Sequence, residues 1–135
     1  MIKKRIFVID DSEDLVELCK KRLEAKNYEV KCFLNAADAM KEIRLAKPDL
    51  VVSDMKMPGL NGLEVCDFLR SSAQTKEIPI ILMTGYKGKR QYVESLNIQY
   101  LFFLLKPFEG KELLSTVQAA LDSTVEFDER LAPKP

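Results

Sequence analysis

Five residues stand at the carboxyl ends of short apolar runs and have complementary chemistry: Asp10 and Asp11, Asp54, Thr84, and Lys106. Two carboxylates ~4 Å apart repel by roughly 4 kcal/mol at an effective dielectric of 20, so acids gathered at strand ends call for a compensating charge. A divalent cation supplies it. Magnesium takes a few carboxylate oxygens together with water and phosphate oxygens, which suits an acidic site open to solvent. A carboxylate is also a nucleophile toward phosphorus, and a lysine ammonium and a threonine hydroxyl can hold phosphoryl oxygens. Brought together, these residues are the parts needed for phosphoryl transfer to an aspartate, a reaction that depends mostly on electrostatic positioning.

The surrounding elements must bring them together. Apolar runs over 6–9, 28–33, 50–52, 78–83 and 100–105 read as strands, most of them without alternation, as parallel strands covered on both faces do. Only the second run alternates, which suits an edge. Leu15, Leu18, Cys19, Arg22 and Leu23 set a mainly apolar stripe on a first helix, and Ala36, Ala39, Met40 and Ile43 on a second. Leu63, Cys66 and Leu69 mark a third helix, 87–96 a fourth with the weakest pattern, and Leu113, Leu114, Val117, Ala120 and Leu121 a fifth. Strands alternating with helices predict a doubly wound α/β domain with a five-stranded parallel sheet in the order 2-1-3-4-5. In that order the first and third strands are neighbours ~4.8 Å apart, placing Asp54 beside Asp10 and Asp11. Lys106, two strands away, is expected ~10 Å across the sheet from Asp54, a gap that its stem and a phosphoryl group would close.

The 135 residues suit one domain, expected over 4–122, with 123–135 as a helix extension, tail or linker. Lys plus Arg and Asp plus Glu are equal at 21 each, so no basic excess points to nucleic acid or an anionic membrane. The three cysteines are widely spaced and the chain has no histidine, which argues against a zinc site and for reduced core thiols in a cytoplasmic protein. No run is long enough to span a membrane.

Asp10 with Asp11, Asp54 followed by Met57, Pro58, Gly59 and Gly62, Thr84 with Gly85, and Lys106 with Pro107 and Phe108 together resemble the receiver domain of two-component response regulators. The resemblance covers about residues 4–120. It implies that Asp54 accepts a phosphoryl group from a phosphohistidine on a sensor histidine kinase or histidine phosphotransfer protein. It implies Mg2+ held directly by Asp11 and Asp54, through water by Asp10, and by the backbone carbonyl of Lys56, with Thr84 and Lys106 gripping the phosphoryl oxygens. It further implies a cis bond between Lys106 and Pro107, and a switch in which Thr84 moves and Phe103 turns into the released space. A downstream effector would read the change. Many relatives have tyrosine at that aromatic position, so packing alone would drive the rotation of Phe103. Relatives also tend to enter the fifth strand through small and acidic residues, whereas Tyr100 and Phe102 are apolar here. With Tyr92 they are expected to form a docking or homodimer face, or to lie under the fourth helix. Lys56 and Tyr86, two residues beyond Asp54 and Thr84, would flank the attacking water and slow hydrolysis.

Plainer readings exist for single residues. Asp11 or Ser12 can cap the first helix, Asp54 can begin a turn, and Gly59 and Gly62 can serve backbone geometry. As whole functions, three alternatives compete. An aspartate-based magnesium phosphatase wants a second acid two residues after its nucleophile, where this chain has Lys56. A flavin carrier of the same fold needs a hydroxyl-rich phosphate loop where this chain has acids. A phosphorylation-independent scaffold has no need for the full set of site residues.

Overall fold

Five runs of β-branched and long apolar residues form β1 (Arg5–Ile9), β2 (Glu29–Phe33), β3 (Leu50–Asp54), β4 (Ile80–Thr84) and β5 (Leu101–Leu105). They pair in parallel in the order β2-β1-β3-β4-β5, as expected. The computed structural model describes residues 2–85 and 87–131, with 87–89 and 125–131 described by backbone alone. Between the strands lie α1 (Glu13–Glu24), α2 (Ala36–Leu45), α3 (Gly62–Arg70) and α4 (Lys87–Ser95), and α5 (Gly110–Leu131) closes the chain. α5 runs across the 122/123 boundary expected from composition. Among the described residues no helix is long and apolar enough to cross a membrane.

The two-residue period of the strands divides the core. Phe7, Ile9, Val51, Ile80 and Leu82 face α2, α3 and α4, where they meet Ala39, Ile43, Val65, Leu69 and Val93. Ile6, Val8, Val52, Ile81 and Met83 face α1 and α5, where they meet Val16, Cys19, Leu23, Leu113 and Val117. Because central strands are buried on both faces, each fully buried Leu or Ile contributes about 1.5–3 kcal/mol, and alternation disappears from their sequence. β2, at the edge, keeps it: Glu29 and Lys31 are exposed while Val30 and Phe33 are buried. Cys19 and Cys66 are buried and Cys32 half-buried, all as free thiols.

The starts of α1, α2 and α3 each have a side-chain cap. Ser12 Oγ accepts from the Leu15 N–H at 3.2 Å, and Asn35 Oδ1 from Asp38 at 2.8 Å. Asn61 and Glu64 form a reciprocal capping box on α3. Gly62 begins α3 against the end of β3, where a Cβ would lie 2.7 Å from both the Asp54 carbonyl oxygen and a Leu82 methyl. Gly59 turns the preceding loop with φ +77°.

β5 starts one residue later than its apolar run because Tyr100 adopts φ 58°, a left-handed conformation that ends strand geometry. Arg70 holds this corner. Its guanidinium donates to the carbonyls of Ile78 at 2.8 Å, Gln99 at 3.0 Å and Tyr100 at 3.3 Å, and lies 5.7 Å from the Tyr100 ring centroid. The last turn of α3 is thereby fastened to the starts of β4 and β5.

Candidate functional site

The carboxyl ends of β1, β3, β4 and β5 converge on one rim. Asp10 directly follows β1, and its N–H donates to Phe33 O of β2 at 3.1 Å, which keeps the residue in line with the sheet. Its side chain is 1% exposed, an unusual environment for a carboxylate. Both oxygens are partnered: Oδ1 accepts from the Ser12 N–H at 2.9 Å and Oδ2 from Lys106 Nζ at 2.9 Å. Ser12 takes the helix cap and leaves Asp11 exposed beside the rim. The helix cap therefore leaves the Asp11 carboxylate uncommitted to capping.

Asp54 ends β3, with its side chain 13% exposed and Oδ1 3.3 Å from Lys106 Nζ. Oxygens of Asp10, Asp11 and Asp54 all lie within 4.8 Å of one another. Burial and then the charge of Asp10 push the Asp54 carboxyl above its ordinary pKa, against the opposing pull of Lys106 and a hydrogen bond from the Lys56 backbone. The cluster thus holds three carboxylates, two of them paired with one ammonium. The remaining negative charge and the all-oxygen donor set fit a hard divalent cation such as magnesium.

Lys106 follows β5, and its N–H donates to Thr84 O at 2.8 Å, so the lysine and the threonine leave the sheet side by side. The bond to Pro107 is cis. Burial alone would lower the pKa of the ammonium, but the hydrogen bond to Asp10 and the charges of Asp10 and Asp54 outweigh it and hold the pKa above the ordinary lysine value. The ~10 Å separation expected from strand spacing describes backbones, whereas the flexible stem carries Nζ directly onto both acids. No phosphoryl group is needed to bridge the gap. Thr84 is 5% exposed at the end of β4.

The remaining sequence candidates occupy other places. Phe103 is half-buried on the α3 and α4 side, with Arg90 of α4 lying 5.1 Å from its ring centroid. Phe102 points to the opposite side and packs against the α1 and α5 cluster. Tyr92 is 58% exposed on α4, and Tyr100 sits at the foot of β5 beside Arg70. Tyr86 lies outside the described residues. Sequence reasoning missed the Ser12 N–H that orients Asp10 and the Arg90 contact with Phe103. The first is foreshadowed by serine two residues after an aspartate, a common local turn pattern, while the second has no sequence signal.

Comparison with known proteins agrees with this geometry. The family model described as the response regulator receiver domain matches residues 6–118. The phosphate regulon transcriptional regulatory protein PhoB of Rhizobium meliloti is 36% identical over 119 residues, 87% of this chain and 52% of that protein. The alkaline phosphatase synthesis transcriptional regulatory protein PhoP of Bacillus subtilis is 34% identical over 120 residues, 89% of this chain and 49% of that protein. The chain therefore spans about half the length of these relatives. Among solved structures, the chemotaxis protein CheY4 of Vibrio cholerae superposes with a TM-score of 0.81 at 26% identity, over 88% of this chain and 99% of that one. The matched region contains every strand end that builds the acidic rim, and the chain belongs to the receiver-domain family of two-component response regulators.

Proposed function

We propose that Asp54 is the phosphoacceptor of a magnesium-dependent signalling switch. The observation that carries this reading is Lys106 Nζ, held 2.9 Å from Asp10 and 3.3 Å from Asp54 within a cluster of three carboxylates. An oxygen of the Asp54 carboxylate bonds to phosphorus as the phosphorus–nitrogen bond of a phosphohistidine breaks, and the imidazole leaves with the electron pair. Lys106, already at the carboxylate, then pairs with the new phosphoryl oxygens, and the Thr84 hydroxyl donates to one of them. Asp11 and Asp54 would hold Mg2+ directly, Asp10 through water, and Lys56 through its backbone carbonyl. When bound, the cation neutralises charge on the acids and on the phosphoryl group.

The donor is a sensor histidine kinase or a histidine phosphotransfer protein, and the reader is a downstream effector. The protein acts in the cytoplasm as a switch rather than as an enzyme turning over a separate substrate. Residues 4–122 form the receiver unit and 123–135 its C-terminal tail or linker. Thr84 and Phe103 carry the switch. β4 pairs Leu82 with Phe103 and Thr84 with Leu105, which puts both switch residues on the α3 and α4 side of the sheet. Tyr92, Tyr100 and Phe102 contribute the face for the effector or for a second copy of the chain. In support, Tyr92 is exposed on α4.

The test is intact mass after incubation with acetyl phosphate. The wild type should gain one phosphoryl group in magnesium and none in chelator, and Asp54→Asn should gain none. A gain unaffected by the substitution refutes the assignment.

A further inference from the structure

We propose that Arg90 is a latch on the Phe103 ring, so that turning of the ring releases a guanidinium on α4. The inference rests on the switch reading above and adds the residue that sets its resting position. Among the described residues Arg90 has two partners. Its Nε lies 3.7 Å from Glu94 Oε2, beyond hydrogen-bonding distance, with side chains 50% and 53% exposed. Exposed pairs of this kind hold a side chain weakly. Its guanidinium carbon lies 5.1 Å from the Phe103 ring centroid, within the range of attraction between a cation and an aromatic face. The ring contact is the stronger tether.

From the side of the ring the contact matters more. A phenylalanine has no hydroxyl to anchor its rim, and Phe103 is half-buried against the cluster that contains Leu82 and Val93. Packing holds the inner face and Arg90 holds the outer one. Both residues line a groove of about 370 Å³ with Glu94, Phe102 and Thr116. If the ring withdraws toward Thr84, the guanidinium loses its stronger tether and faces this groove held only by the weak pairing with Glu94. A covered ring is thus linked to one charge state of the surface and a withdrawn ring to another.

Linkage makes the latch measurable. Whatever stabilises the resting ring must weaken binding of a phosphoryl mimic that favours the turned one. Beryllofluoride would be titrated in saturating magnesium into wild type, Arg90→Gln, Phe103→Leu and the double variant, followed by backbone amide NMR, with circular dichroism confirming each fold. Arg90→Gln is expected to bind about 2–5-fold more tightly than wild type, and to have no effect once the ring is removed. Equal affinity in wild type and Arg90→Gln overturns the latch alone, as does a gain that persists in the Phe103→Leu background. Failure of the wild type to bind beryllofluoride overturns the phosphoacceptor reading and the latch with it.

Discussion

In chelator, Asp54→Asn should be more stable than the wild type, and magnesium should reverse the order. Opposing contributions can be worked from the rim. Lys106 at 3.3 Å attracts the Asp54 carboxylate by about 5 kcal/mol at an effective dielectric of 20. Oxygens of Asp10 and Asp11 within 4.8 Å each repel it by about 3.5 kcal/mol at that limit. Solvent screens the share of exposed Asp11 most, and burial adds to the repulsive side. The raised pKa of Asp54 has the same sign: burial and Asp10 outweigh Lys106. After screening, relief from an uncompensated carboxylate is worth about 1 kcal/mol, or ~3–5 °C in Tm for a chain of this size. Magnesium at a hundredfold excess over its dissociation constant adds about 2.7 kcal/mol to the wild type, and less to a variant lacking one ligand. A raised carboxyl pKa contributes stability that is present at low pH and lost as pH rises through the folded value. Acidification in chelator should therefore erase the gap between the two proteins. Calorimetric melts with magnesium and with EDTA measure all of this. A less stable Asp54→Asn in EDTA, or equal magnesium shifts for both proteins, refutes the reasoning.

Other predictions follow from single contacts. Gly62→Ala places a Cβ 2.7 Å from the Asp54 carbonyl oxygen, a clash that only backbone movement relieves, so it should cost about 1–3 kcal/mol in denaturant melts and slow phosphorylation. The Lys106 pKa lies above the ordinary lysine value of 10.5, so its stabilising charge should persist through neutral pH and be lost only in more alkaline solution. Melts of the wild type and Lys106→Met should converge there. Tyr92→Ala, which removes an exposed ring from α4, should weaken self-association or effector binding in analytical ultracentrifugation while the fold is retained. Replacing Lys56 and Tyr86 with alanine should shorten the phosphate half-life, measured as loss of the phosphoryl mass after the donor is removed.

The strands and their order were legible because burial on both faces forces continuous apolar runs, and because crossovers in parallel sheets follow one hand. The rim followed from that order, since Asp10, Asp54, Thr84 and Lys106 each stand where a run ends. Geometry built from side chains was less accessible. Strand spacing alone separated Lys106 from Asp54, and the torsions that fold its stem back have no sequence signature. The left-handed Tyr100 was hidden because its apolar ring matches a strand pattern, while the carbonyls captured by Arg70 hold its backbone out of one. Arg90 on Phe103 was likewise invisible, being an exposed helix residue meeting a strand that follows in the chain.

Reduction of the phosphorylated protein with borohydride tests the central claim most directly, because it converts an aspartyl phosphate to homoserine at the residue that carried it. Peptide mapping should find homoserine at position 54 after treatment with phosphodonor and magnesium, and aspartate there when magnesium is omitted. Homoserine at Asp10 or Asp11, or at no position in a protein that has gained the phosphoryl mass, would contradict the account.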